Sequence, residues 1–178
     1  MTLFTTHRTE SRRSFWYRFL FNIYPMYKAT GARVKFLSAD FQEAHILLTR
    51  NILTRNIVNT IFGGSIYSSI DPIFMLQIQE ILGKDYVVWD KAATIRFVRP
   101  ARKRLIAQCL VTDEQLLHIR TTVAQQNEMD LVLPLEYFDE TGKVAVQFSK
   151  TIYIANQAHY AQKRAAKGQN SAYKKIIG

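Results

Sequence analysis

The residues with the most chemical promise lie in one short stretch, Gly63-Gly64-Ser65-Ile66-Tyr67-Ser68-Ser69-Ile70-Asp71-Pro72. At a helix start, the first backbone amides are unpaired and carry a partial positive charge. Glycine lets a carbonyl come close to them, so the Gly64 and Ser65 amides are candidates for an oxyanion site. Two helical turns on, Asp71 can act as general base or nucleophile. Asn59, just before the helix, can hold a water or the carbonyl. This set suits hydrolysis of an activated acyl group such as a thioester. Each residue also has a plainer role. Asp71 before Pro72 suits a helix N-cap, Gly63-Gly64 lets a helix approach a strand closely, and Asn59 suits a turn. The serines, with no His near them in sequence, suit packing.

The surrounding pattern says what must position these residues. Residues 11–24 suit a short helix, with Trp16, Leu20, Ile23 and Tyr27 at helical spacing. Ala32 to Phe36 and Glu43 to Arg50 suit strands, Val34 and Phe36 alternating with Arg33 and Lys35. From Gly63 to Leu82 the spacing predicts one long, mostly apolar helix, kinked or restarted at Pro72 and stopped by Gly83. Four further strands follow, at about Tyr86 to Val98, Leu105 to Val111, Leu131 to Phe138 and Val144 to Ile154. Thr112 and Gln115 have capping-box spacing and open a helix to about Gln125, while Asp139-Glu140-Thr141-Gly142 marks a hairpin turn. A single helix this apolar is covered only if a sheet curls around it.

Composition bounds the rest. At 178 residues and 48% hydrophobic, the chain suits one domain over residues 1–158 followed by a basic tail at 159–178. The net charge of +10 is concentrated at the ends. Residues 1–37 hold seven cations and one acid, residues 38–158 twelve and thirteen, and residues 159–178 five and none. A nucleic-acid binder more often spreads its cations over one folded face, so no specific nucleic acid is expected. Cys109 has no partner and reads as a buried small hydrophobe in a reducing compartment. The run Phe15-Trp16-Tyr17-Arg18-Phe19-Leu20-Phe21 is too short to span a bilayer, so a cytoplasmic location is expected, with peripheral membrane contact through residues 11–24 an open alternative. No His, Cys, Asp and Glu cluster has metal-ligand spacing.

The segments Asn59-Thr60-Ile61-Phe62-Gly63-Gly64, Asp71-Pro72, Leu82-Gly83-Lys84-Asp85-Tyr86 and Trp89-Asp90-Lys91-Ala92 resemble, in that order, a thioesterase-like hotdog family that is a domain of unknown function. The Gly-Gly helix start is also similar to acyl-CoA thioesterases of the phenylacetic-acid-degradation type. The likeness spans most of residues 15–155. It implies an α+β hotdog fold, an antiparallel sheet around a long central helix, here with an extra N-terminal helix. It also implies an acyl-CoA or other acyl thioester as substrate, with no cofactor beyond CoA as part of that substrate. The carboxylate of such relatives acts at a subunit interface, which implies a homodimer or a dimer of dimers. Where they carry His before Gly-Gly, this chain carries Phe62, which removes dehydratase chemistry.

On this reading Asp71 is base or nucleophile, Gly64 the carbonyl polariser and Asn59 an orienting group, with Gly63 and Ser65 alongside at the helix start. Phe62, Tyr67 and Phe74 line an acyl channel, and Arg96, Arg99, Arg102, Lys103 and Arg104 meet the CoA phosphates. The alternative is a non-catalytic acyl-CoA or lipid binder in which Phe62 marks lost catalysis. A third reading is a basic-tailed protein that touches polyanions through its ends.

Overall fold

The structure, a computed structural model, describes residues 4–166; residues 167–178 of the predicted tail lie outside it. Six strands form one antiparallel sheet in the order β1-β2-β4-β5-β6-β3. They are β1 Ala32–Leu37, β2 Glu43–Thr49, β3 Tyr86–Phe97, β4 Arg104–Leu110, β5 Glu128–Asp139 and β6 Val144–Asn156. Because β2 and β3 lie on opposite sides of this order, the chain between them must cross the sheet. It does so as helices α3 (Gly63–Ile70) and α4 (Ile73–Leu82). These bury Ile66, Ile70, Ile73, Phe74 and Ile78 against the strands. Each such side chain contributes about 1.5–3 kcal/mol on leaving water. The sheet wrapped around this crossing helix is the hotdog fold expected from the sequence.

Alternation writes the inner face. Leu105, Ala107 and Cys109 of β4, Leu131, Leu133, Leu135 and Tyr137 of β5, and Val146, Phe148, Ile152 and Ile154 of β6 are all buried. One residue breaks this apolar set: Lys150, on the same face of β6, is 1% exposed. Polar ties fix the crossing helices to β5 and to the β1–β2 connection. Ser69 Oγ and the Tyr137 hydroxyl are 2.5 Å apart, and Gln77 Nε2 donates to the Phe41 carbonyl at 2.9 Å.

Of the kink and the restart that Pro72 allows, the structure shows the restart. Pro72 has no amide hydrogen and its ring crowds the preceding turn, so the helical ladder stops at Ile70 and resumes at Ile73. Pro72 itself takes the N-cap position of α4, which has no side-chain cap, so Asp71 does not act as the cap. Gly83 ends α4 at φ 80° as expected. The Thr112–Gln115 capping box opens α5 (Asp113–Gln126) as the spacing predicted.

The N-terminal segment makes α1 (Arg12–Ile23) and α2 (Pro25–Ala29), and Tyr27 of α2 enters the core. The inward side of α1 is Ser14, Tyr17 and Phe21; the Trp16, Leu20 and Ile23 line faces outward instead. The Asn22 side chain completes the open edge of β1. It donates to the Val34 carbonyl at 2.9 Å and accepts from the Val34 amide at 2.8 Å, as a neighbouring strand would. At the other end of the sheet, β3 has no such cover among the described residues, and its Trp89 and Phe97 are 53% and 54% exposed. Beyond β6, residues 157–166 are helical, and Lys163 pairs with Glu128 at 2.6 Å.

Asn22→Leu keeps the side-chain volume but strands both polar groups of Val34. It is expected to cost about 1–3 kcal/mol of stability, read as a lowered midpoint in thermal or urea unfolding.

Candidate active site at the two ends of α3

The predicted site residues fall into two groups, one at each end of α3. At its start, Phe62 is the N-cap, in extended conformation and without a side-chain cap. The amides at this end are therefore left to water or a ligand. Both glycines are closely covered by aromatic rings. A Cβ on Gly63 would sit 3.0 Å from the Phe97 ring, and one on Gly64 would sit 2.3 Å from the Phe62 ring. The Phe62 ring thus lies over the helix start, 55% exposed. Beside it, a groove of about 430 Å³ is lined by Gly63, Ile66, Phe97, Val98 and Arg99 among others. Of the predicted phosphate contacts, the structure places Arg99 in this groove. Arg96, Arg102 and Arg104 are exposed around the β3–β4 turn, and Lys103 pairs with Glu140 at 3.6 Å.

At the other end of α3, Asp71 meets a residue that sequence reasoning missed. Lys150 Nζ donates to Asp71 Oδ1 at 2.6 Å and lies 3.1 Å from Asp90 Oδ1. It also sits 5.6 Å from the centre of the Tyr67 ring. Lys150 is buried while the Asp71 side chain is 42% exposed, so the cation is inside and the carboxylate reaches the surface. Asp90 reaches the cluster because it alternates with Val88 on the inner face of β3, opposite Ile152 and so beside Lys150 on β6.

The charges explain one another. Burial alone pulls the Lys150 ammonium down, but the hydrogen bonds and charges of Asp71 and Asp90 outweigh it and hold its pKa above the usual lysine value. Burial raises the Asp90 carboxyl above its ordinary value, the neighbouring Asp71 charge adds to this, and Lys150 offsets only part of it. Burial and then the Asp71 charge raise the Tyr67 hydroxyl. Lys150 holds Asp71 through Oδ1, and the Asp71 side chain stays partly exposed. The signal for Lys150 was present in the sequence as a lysine in the inward register of Val146, Phe148, Ile152 and Ile154. Its partners were not.

Other predicted residues stand apart. Asn59 occupies a turn at φ 63°, and its side-chain oxygen accepts from Arg50, so the structure ties it to the 50–62 connection and not to Asp71. Phe74 is 1% exposed in the core, which corrects the expectation that it lines a channel: it packs under the sheet at the start of α4. Cys109 is fully buried, and burial pushes its thiol far above the ordinary range. Among the described residues, no His, Cys, Asp and Glu group could hold a metal, and no helix is long and apolar enough to cross a membrane.

A family model described as domain of unknown function DUF4442 matches residues 12–154. The chain belongs to the DUF4442 family. No curated protein matches the sequence. Solved structures do. A Pseudomonas aeruginosa protein of unknown function, titled a probable thioesterase, superposes with a TM-score of 0.71 at 14% identity, over 84% of this chain and 99% of its own. A Haemophilus influenzae thioesterase gives 0.58 at 12% identity, over 84% and 93%. The E. coli PaaI protein from the phenylacetic acid degradation operon gives 0.55 at 18%, over 77% and 90%. At these identities the likeness speaks for the fold: the DUF4442 chain has a thioesterase-like hotdog fold.

In this DUF4442 chain, Asp71 and Asp90 are the partners of a buried cation, and removing both leaves it unpaired. Asp71→Asn or Asp90→Asn alone keeps one carboxylate on Lys150 and is expected to cost less than the double variant. The double variant is expected to cost roughly 3–5 kcal/mol. The pH dependence of the Lys150 contribution should also change sign. In the wild type the raised Lys150 pKa gives stability that is full below 10.5 and lost as pH rises through the folded value. In the double variant burial alone lowers the lysine, so its own contribution rises with pH, and the alkaline loss of stability to which buried Tyr137 and Cys109 also contribute becomes shallower. Urea unfolding across alkaline pH distinguishes the two slopes.

Proposed function

We propose that this protein is an acyl-CoA thioesterase whose site is completed by a second copy of the chain. The observation that carries this reading is the Asp71 carboxylate, half-exposed and held through Oδ1 by buried Lys150. Its complement, the uncapped start of α3, lies seven residues back at Gly64, roughly 10 Å away at the rise of a helix. One subunit alone therefore holds the carboxylate and the amides too far apart to act on one carbonyl.

The open edge supplies the remedy. Strand β3 carries Asp90 of the charged cluster near one end and Phe97 of the groove at the other. If two β3 strands pair antiparallel about a two-fold between Ala93 and Thr94, the Asp90 end of one copy meets the Phe97 end of the other. The amides of one helix then face the Asp71 of its partner. Such pairing also removes an exposed edge bearing Trp89 and Phe97.

In this arrangement Asp71 Oδ2 takes a proton from a water, whose oxygen attacks the thioester carbonyl. The Gly64 and Ser65 amides receive the developing oxyanion. The carbon–sulfur bond then breaks, and the CoA thiolate leaves with the proton returned through Asp71. Lys150 is a positioning residue that fixes the carboxylate. Arg99, with Arg96, Arg102, Lys103 and Arg104 around the turn, suits the CoA phosphates. Tyr67, beside Lys150, and Phe62 suit the acyl chain.

A specific observation favours a second reading, an acyl-CoA binder without turnover: the Phe62 ring covers Gly64, where a polariser needs access. The two part in one experiment. Turnover of acyl-CoAs of graded chain length is measured for wild type and Asp71→Asn, which retains Asp90 as partner of Lys150. The thioesterase reading expects wild-type turnover and a loss of about 10²–10⁴ in kcat for the variant, with KM little changed. Full turnover by Asp71→Asn refutes the mechanism, and saturable binding without wild-type turnover selects the binder.

A further inference from the structure

Helix α1 uses one side to dock on the sheet and leaves the other bare. Its outward side carries Phe15, Trp16, Phe19, Leu20 and Ile23, spaced i, i+1, i+4, i+5 and i+8, and all are exposed. Tyr24 and Met26 extend this face past the helix end, 57% and 71% exposed. Single exposed apolar residues are ordinary, but a contiguous face of this kind marks a contact surface.

The same face borders a groove of about 700 Å³, closed on its far side by Leu53 of the 50–62 connection, 85% exposed. Arg18, Lys28, Arg33 and Lys35 line it, and no carboxylate does. Arg33 and Lys35 stand at alternate outward positions of β1. The acids nearest α1 are already engaged, Glu10 with Arg18 at 2.6 Å and Glu80 with Arg13 at 2.5 Å. The surface therefore combines bulky apolar groups with a rim of positive charge.

That combination selects its occupant. A second copy applied here would press like charges together. A polynucleotide would match the cations but leave the aromatic face without a partner. An anionic bilayer satisfies both, since Trp and Phe sit well at the headgroup boundary and each nearby Lys or Arg is attracted to acidic lipid. We infer that α1, with the Leu53 loop and the Lys28, Arg33 and Lys35 rim, docks the protein onto an anionic lipid surface. The α1 face lies along the headgroup plane, and nothing in this docking depends on the Asp71 site.

The test is co-sedimentation of the full chain with phosphatidylcholine–phosphatidylglycerol vesicles and with pure phosphatidylcholine vesicles. The variants are Trp16→Ser/Leu20→Ser/Ile23→Ser and Arg33→Gln/Lys35→Gln, all at exposed positions, with thermal melts to verify folding. Wild type is expected to partition onto the anionic vesicles, with each variant weakened about tenfold or more and binding to neutral vesicles weak. Undiminished binding by the triple-serine variant overturns the proposal, because the five cations of residues 159–178 would then suffice. Equal binding to neutral vesicles, or no binding by wild type, overturns it as well. So does a triple-serine variant whose molecular mass changes while its vesicle partition does not, since the face would then be a contact between copies.

Discussion

A lysine ammonium on the inner face of a sheet is the constraint around which the site is arranged. Moving such a charge out of water costs several kcal/mol, and only close carboxylates offset it. Lys150 takes one from the break in the crossing helix, Asp71, and one from the edge strand, Asp90. That demand binds three elements remote in sequence, α3, β3 and β6, at one point. It also explains why Asp71 stays at the Pro72 break with its carboxylate turned to the sheet and not to the next helix. The interaction that stabilises the charge thereby holds a partly exposed carboxylate at the surface.

The two edges of the sheet are treated in opposite ways. At β1 the Asn22 amide imitates a strand and α1 covers what lies beside it. At β3 the backbone runs twelve residues along an open edge, with apolar Trp89 and Phe97 on show. One edge is closed within the chain, and the other is left for pairing. Covering β1 has a consequence for the surface, because the helix that seals the edge must turn its remaining apolar side outward.

Much of the fold was legible residue by residue. The Thr112–Gln115 capping box, Gly83 and the Asp139–Gly142 turn each act through local chemistry, so they appear where their spacing placed them. The alternation of β1 holds only as far as Val34, because a bulge before Phe36 turns Leu37 to the buried side in its place. The site was less legible. Gly63, Gly64 and Asp71 stand out by type and order, yet Asp71 had two local roles open and local information favours neither. Phe74 looked like any apolar residue of its helix, and only packing decided that it faces the core.

The sequence by itself determined the elements, their order and the need for a sheet to cover one apolar helix, because periodicity and turn chemistry are local. It also carried the Gly-Gly start and the acidic residue beyond it. The tertiary structure decided that α3 and α4 part at Pro72, that Asn59 belongs to a turn with Arg50, and that Asp71 answers to Lys150. Those outcomes depend on contacts across 79 residues of chain in the last case, and no spacing rule reaches that far. A buried charge finds its partner in space, and space is what the sheet's crossing order creates.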